Sequence, residues 1–244
     1  MRKTRKIRLP QADQLQRVGP TGRLFGAAVL TMLTVAIVAG LFVQIKNHER
    51  AATRAAAAVA GPNTLTADGM VRVGSPDAKV VVTIVEDAQC PLCKTFQSVT
   101  GPALDALVGR NAIAIDYDLV AIRDRGTTNG YSSRAANASA CVAEADLSKW
   151  SAWQRELLNQ VPAEGTPGPS DQDLIAGATR AGLTATPAFA ECVTSHRYSA
   201  FVAEQTRKAV AAKLTHVPTV RIGSTTVTNL TPEGLDAAVR AATT

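Results

Sequence analysis

Aromatic residues are scarce in this chain: two Trp, three Tyr and five Phe make up 4% of its 244 residues. A core so poor in large rings has to be built from small side chains, and the abundant alanine points to closely packed helices. Long polar or low-complexity tracts are missing, which excludes disorder along most of the length. No internal repeat is present. Net charge is absent from most of the chain. The formal charge is +6, but seven of the 26 Lys/Arg and one of the 20 Asp/Glu precede residue 24, leaving the remainder balanced. A nucleic-acid reader carries its basic excess on the folded domain, and this chain carries it on a tail.

The segment after that tail accounts for its charge. Leu24 to Ile45 reads LFGAAVLTMLTVAIVAGLFVQI without one charge. As a helix it would measure roughly 33 Å at ~1.5 Å per residue, enough to cross a bilayer core of ~30 Å. Arg2, Lys3, Arg5, Lys6, Arg8, Arg17 and Arg23 precede it, whereas only Lys46, Arg50 and Arg54 come closely after. The positive-inside bias predicts a cytoplasmic tail over 1–23, a transmembrane helix over 24–45, and everything later outside. A cleaved signal ending at Ala58-Val59-Ala60 is the rival reading. The apolar run is longer than a signal core of ~7–15 residues, and charged residues separate it from that triplet. Residues 46–66 form a stalk and linker, broken at Gly61-Pro62.

Residues 67–244 alternate between strand and helix patterns. Met70–Val73 reads as a short edge strand, and the β-branched run Lys79–Val85 as a buried central one. Helical spacing from Lys94 to Gly109 comes next, with a kink predicted at Gly101-Pro102. Ile113–Val120 is another strand. From about 123 to 214 the pattern is helical, far more than one crossover needs, and predicts an inserted helical block. Val217–Gly223 and Thr225–Val227 read as a hairpin. Thr231-Pro232-Glu233 opens a last helix with Thr231 as N-cap. Trp150, Trp153 and Tyr131 are expected in packing.

The chemistry concentrates at Cys90-Pro91-Leu92-Cys93, between the central strand and a helix. A thiol is useful as a nucleophile only as thiolate, and an ordinary thiol with pKa ~8.5 is mostly protonated at neutral pH. At a helix N-terminus, the dipole and unpaired N–H groups favour the ionised sulfur. Pro91 starts the helix without losing a needed hydrogen bond. Cys93, three residues on, can close a disulfide. Cys90 is thus expected to be the exposed exchanging sulfur and Cys93 the buried resolving one. Two plainer readings compete: half of a zinc site completed by Cys192 and His196, and a purely structural Cys90–Cys93 bridge, which so short a loop stabilises little.

The stretch Val80–Phe96, the helical block and Val217-Pro218-Thr219-Val220 together resemble the DsbA family of thioredoxin-fold oxidoreductases, actinobacterial membrane-anchored members included. The resemblance implies an α/β thioredoxin-like fold with an inserted helical domain, here preceded by one transmembrane helix. It also implies that Val217-Pro218 is a cis-proline loop facing the cysteines and helping to hold substrate. The activity it implies is extracytoplasmic insertion of disulfides into exported cysteine-containing proteins, without cofactor or metal. Reoxidation would come from a quinone-linked membrane oxidase of DsbB or vitamin K epoxide reductase type. A reductase or isomerase, or a non-catalytic redox-sensing scaffold, are the alternatives. Four cysteines in an exported domain suggest a second, structural bridge between Cys141 and Cys192, as in actinobacterial relatives; two buried free thiols are the other possibility. Two departures stand out. Where the family often has a buried acid, six residues before the first cysteine, this chain has Ile84, with Glu86 and Asp87 nearby. Where strong oxidants carry a histidine between the cysteines, it has Pro91-Leu92, which predicts a milder oxidant. His216 is expected to be an exposed strand-end residue, with stabilisation of a thiolate as the alternative.

Overall fold

The computed structural model describes residues 35–50 and 59–243. Helix α1 covers residues 35–50, with Val35, Ile37, Val38, Leu41 and Phe42 all exposed. The expected span over 24–45 lies only partly within the described residues, and among these no helix is long and apolar enough to cross a membrane. The tail and the stretch 51–58 of the stalk lie outside them.

In the second unit, residues 56–244, five strands form one mixed sheet in the order β1-β3-β2-β4-β5. Strand β1 (Val71–Val73) is the edge, antiparallel to β3 (Ala114–Leu119). Arg72 sits opposite Asp116 and grips its carboxylate with two bonds of 2.7 and 2.6 Å, which locks that register. β2 (Val81–Glu86) is central, parallel to β3 and antiparallel to β4 (Thr219–Ile222). β5 (Thr225–Thr226) closes the hairpin.

Period-two alternation puts Val82, Ile84 and Glu86 on one face of β2, and all three are buried. Their apolar surroundings include Phe96 and Leu104 of α2 (Pro91–Gly109) and Leu235 and Val239 of α8 (Pro232–Ala241). Gly101-Pro102, where the sequence predicts a kink, lies inside one continuous helix, with Pro102 on its exposed side. Thr231 caps α8 by accepting the Gly234 N–H, and Pro232 occupies the first turn.

Between β3 and β4 the chain forms the helical block. It comprises α3 (Tyr131–Asp146), a 3-10 turn (Leu147–Lys149), α4 (Trp150–Asn159), α5 (Asp171–Arg180), α6 (Pro187–Thr194) and α7 (Ser199–Ala211). Small residues line α3, where Ala135, Ala136, Ala138, Ala140 and Ala143 are buried, so neighbouring helices approach closely. Asn137 is a buried bridge, donating to Val193 O at 3.2 Å and accepting from Tyr198 N at 2.8 Å. Trp150, Trp153 and Tyr131 are fully packed. A side chain on Gly168 (φ +65°) would collide with the Tyr131 ring at 2.6 Å, so that loop needs glycine there. The second pair of cysteines, Cys141 on α3 and Cys192 on α6, is joined by a disulfide.

Candidate active site

Cys90 is the N-cap of α2, with extended backbone angles, and Pro91 takes the first helical position. Its Sγ accepts the Cys93 N–H at 3.1 Å, while its carbonyl accepts from Cys93 N and Lys94 N. The sulfur therefore lies over the orphan donors of the helix terminus, where negative charge is favoured. On its other side it donates to Val217 O at 3.3 Å, and the Val217–Pro218 peptide is cis. The sequence separates Cys90 and Val217 by 127 positions; the antiparallel β2–β4 pairing brings them together.

Cys90 and Cys93 are free thiols, and both are buried, at 1% and 0% exposure. This corrects the expectation of an exposed Cys90. Val217 packs onto it, and Val85, Val120 and Leu158 complete an apolar shell around both sulfurs. Leu92, between the cysteines, is instead 67% exposed. Burial and partners push the two thiols apart. A hydrogen bond from the Cys93 thiol, aided by backbone N–H groups and the Arg123 charge, outweighs burial and brings Cys90 down to about 7. Burial, the bond to Cys90 and the nearby Glu86 charge drive Cys93 far above the ordinary thiol range.

Glu86 is the acid that accompanies the thiols. It is 1% exposed, and burial raises its carboxyl to about 8 against the pull of two amides. Gln97 Nε2 donates to Oε1 at 2.9 Å, and Gln154 Nε2 donates to Oε2. Ile84, six residues before Cys90, belongs to the apolar core. Asp87 points elsewhere: it accepts from Ser132 Oγ at 2.5 Å, Gln89 N at 2.8 Å and Arg123 N at 2.9 Å. That carboxylate ties the loop before Cys90 to the start of α3. Sequence reasoning passed over Gln97, Gln154 and Arg123. Glu86 was legible in principle, because it shares the period-two face of Val82 and Ile84.

His216 is exposed, with Nδ1 3.0 Å from Thr215 Oγ1. Beside it opens a groove of about 510 Å³, lined by Val85, Asp118, Lys208, Leu214 and Arg221 among others. Burial raises the Asp118 carboxyl to about 7, with Lys208 opposing. The zinc reading fails at its second half, since Cys192 is bonded to Cys141. Among the described residues no cluster of three or more His, Cys, Asp or Glu could hold a metal ion.

The thioredoxin family matches residues 66–241. The reduced crystal structure of DsbA from Mycobacterium tuberculosis is 31% identical over 71% of this chain and 92% of that one, with a TM-score of 0.63. The M. tuberculosis protein described as disulfide bond oxidoreductase DsbG is 32% identical over 71% and 87%, also at 0.63. MdbA from Actinomyces oris, a thiol-disulfide oxidoreductase, shares the fold at 18% identity, covering 75% and 91% with a TM-score of 0.64. No curated protein sequence matches the chain.

Proposed function

Because the chain belongs to the DsbA-like oxidoreductases of the thioredoxin family, we propose that it is a thiol–disulfide oxidoreductase that passes a Cys90–Cys93 disulfide to exported polypeptides. The observation that carries this reading is the position of Cys90 Sγ, held between the N-terminus of α2 and the Val217 carbonyl, with Cys93 behind it.

In the oxidised protein, a substrate thiolate attacks Cys90 Sγ. The Cys90–Cys93 bond breaks, its electron pair moves to Cys93 Sγ, and a proton joins that sulfur, whose affinity for it is high. Glu86, raised to about 8, holds such a proton at neutral pH. A second substrate thiolate then attacks the substrate sulfur of the mixed disulfide and expels Cys90. A thiol brought down to about 7 is a good leaving group. The substrate gains a disulfide and the protein is left as a dithiol. The exposed Leu92 and the groove beside His216 give a polypeptide surface to lie against.

In this reading the apolar run 24–45 anchors the chain with its C-terminal domain outside the cytoplasm, supported by the basic tail. Reoxidation falls to a quinone-linked membrane oxidase of DsbB or vitamin K epoxide reductase type. The Pro91-Leu92 dipeptide and a Cys90 pKa of about 7 support a milder oxidant than one with a thiol near ~3.5. The deciding measurement is the reduction potential of Cys90–Cys93 against glutathione buffers. A value of about −120 to −180 mV marks a disulfide donor, and one near about −270 mV would make the protein a reductant instead.

A further inference from the structure

Glu86 is gripped from two parts of the chain. Gln97 belongs to α2, the helix that carries the thiols, and Gln154 comes from α4 in the helical block. Three residues at successive turns of α4 meet the redox half. The Trp150 ring lies 5.0 Å from Tyr117 of β3, Gln154 reaches Glu86, and Leu158 joins the apolar shell of Cys90 and Cys93. At the flanks Arg155 pairs with Asp105 at 3.1 Å, and Lys94 Nζ donates to Asn159 O at 2.9 Å. The amide thus sits in the middle of a keyed contact between α4 and the sulfur-bearing half.

We propose that Gln154 is a positioning residue of the redox centre: its amide, delivered from the inserted helical block, keeps the Glu86 carboxyl able to take a proton from Cys93 and return it. This rests on the reading of Cys90–Cys93 as an exchanging pair.

Two opposing influences set the sign of the effect. A carboxylate that accepts N–H bonds on both oxygens is favoured over the neutral acid, whereas burial favours the neutral acid. With hydrocarbon at position 154, burial would win more completely and Glu86 would stay protonated. With a buried cation there, the carboxylate would stay ionised. Burial opposed by two neutral donors, Gln97 more strongly and Gln154 after it, leaves it between these limits, at about 8. The other titratable groups facing Glu86 are Cys90 and Cys93 at the start of α2 and Tyr117 on β3; burial keeps Cys93 and Tyr117 neutral, whereas Cys90 is lowered to about 7. From α4 only the amide faces it; Arg155 and Glu156 of that helix pair outward with Asp105 and Arg180.

The step that reads this is resolution of a mixed disulfide. In the Cys90–glutathione adduct, Cys93 passes its proton to Glu86, and its sulfur attacks Cys90 Sγ. The Cys90–glutathione bond breaks and glutathione leaves as thiolate, one disulfide replacing another with no external oxidant. Below about pH 8 the rate tracks the ionised fraction of Glu86.

In the full chain, Gln154→Leu and the unbranched Gln154→Met should slow glutathione release about tenfold at pH 7 and move the midpoint of its pH profile up by about one unit, converging on the parent rate in alkali. A ¹³C-carboxyl NMR titration of Glu86, assigned with Glu86→Gln, should show the same upward displacement. A merely structural role for Gln154 would lower stability without moving either midpoint. Rates and titration both at parent values in the two variants would overturn the proposal. If the parent chain itself fails to release glutathione, the exchange reading is what has failed, and the Glu86 titration still decides the role of Gln154.

Discussion

A thiol and a carboxyl only a few residues apart are shifted in opposite senses here, and each shift has a pH signature. Cys90 is lowered from 9.0 to about 7. Its contribution to the stability of the reduced protein is therefore complete above about pH 9 and is lost as pH falls through 7. Thiolate absorbance should titrate with a midpoint near 7. Arg123 contributes to that lowering while paired with the exposed Glu164. Arg123→Gln should raise the midpoint by less than about one unit, with the largest effect at low salt. Glu86 is raised from 4.5 to about 8, so the folded chain keeps a proton that the unfolded chain has released. Stability should fall as pH rises between those values, by on the order of 5 kcal/mol in total. Glu86→Gln should flatten that slope in urea titrations of the reduced protein at about pH 5 and about pH 8.

Among the elements, the helical block depends on two devices that the redox chemistry does not use. The Cys141–Cys192 bridge closes a loop of 51 residues between α3 and α6. The chain-entropy relation values such a link at about 4 kcal/mol. Replacing both cysteines by serine should lower Tm by on the order of 10 °C, read by calorimetry, and leave the Cys90 titration where it was. The start of α3 is the second device. Gly130 occupies the N-cap with φ +62° and offers no side chain. Asp124 supplies the missing acceptor from the preceding loop, taking Ser132 N at 2.9 Å, Ser133 N at 3.1 Å and Ser133 Oγ at 2.6 Å. Asp124→Ala should cost about 1–2 kcal/mol in chemical denaturation. The elements themselves were largely legible. Alternation and β-branching marked β2 and β3, and Thr231-Pro232 marked the start of α8, because those signals are local. Glu86 was legible only in part, since its alternation with Ile84 gives its face but not its neighbours. Gln97, Gln154 and Arg123 carried no signal at all. An amide four residues beyond Cys93 looks like any helix-surface glutamine until tertiary packing turns it inward.

At the scale of the whole molecule, the thioredoxin half and its helical insertion make one centre. The sheet supplies Glu86 and the Val217 carbonyl, α2 supplies both sulfurs, and α4 supplies an amide and part of the apolar wall. Transfer to protein substrates should be visible directly. Cys93→Ser in the full chain should accumulate mixed disulfides with exported cysteine-containing proteins, detected on non-reducing gels, whereas Cys90→Ser should accumulate none. A chain that trapped no such partners would be a scaffold or sensor instead.

The closure over Cys90 also bears on chemical damage. A thiol half-ionised near neutral pH is the kind that peroxides carry from sulfenic to irreversible sulfinic and sulfonic acids. In this protein Cys90 is 1% exposed, roofed by Val217 and walled by Val85, Val120 and Leu158. A reagent of any size reaches it only as that cover moves. The same packing should slow over-oxidation of the reduced protein relative to an equally ionised thiol in the open, read as the rate of irreversible thiol loss in peroxide.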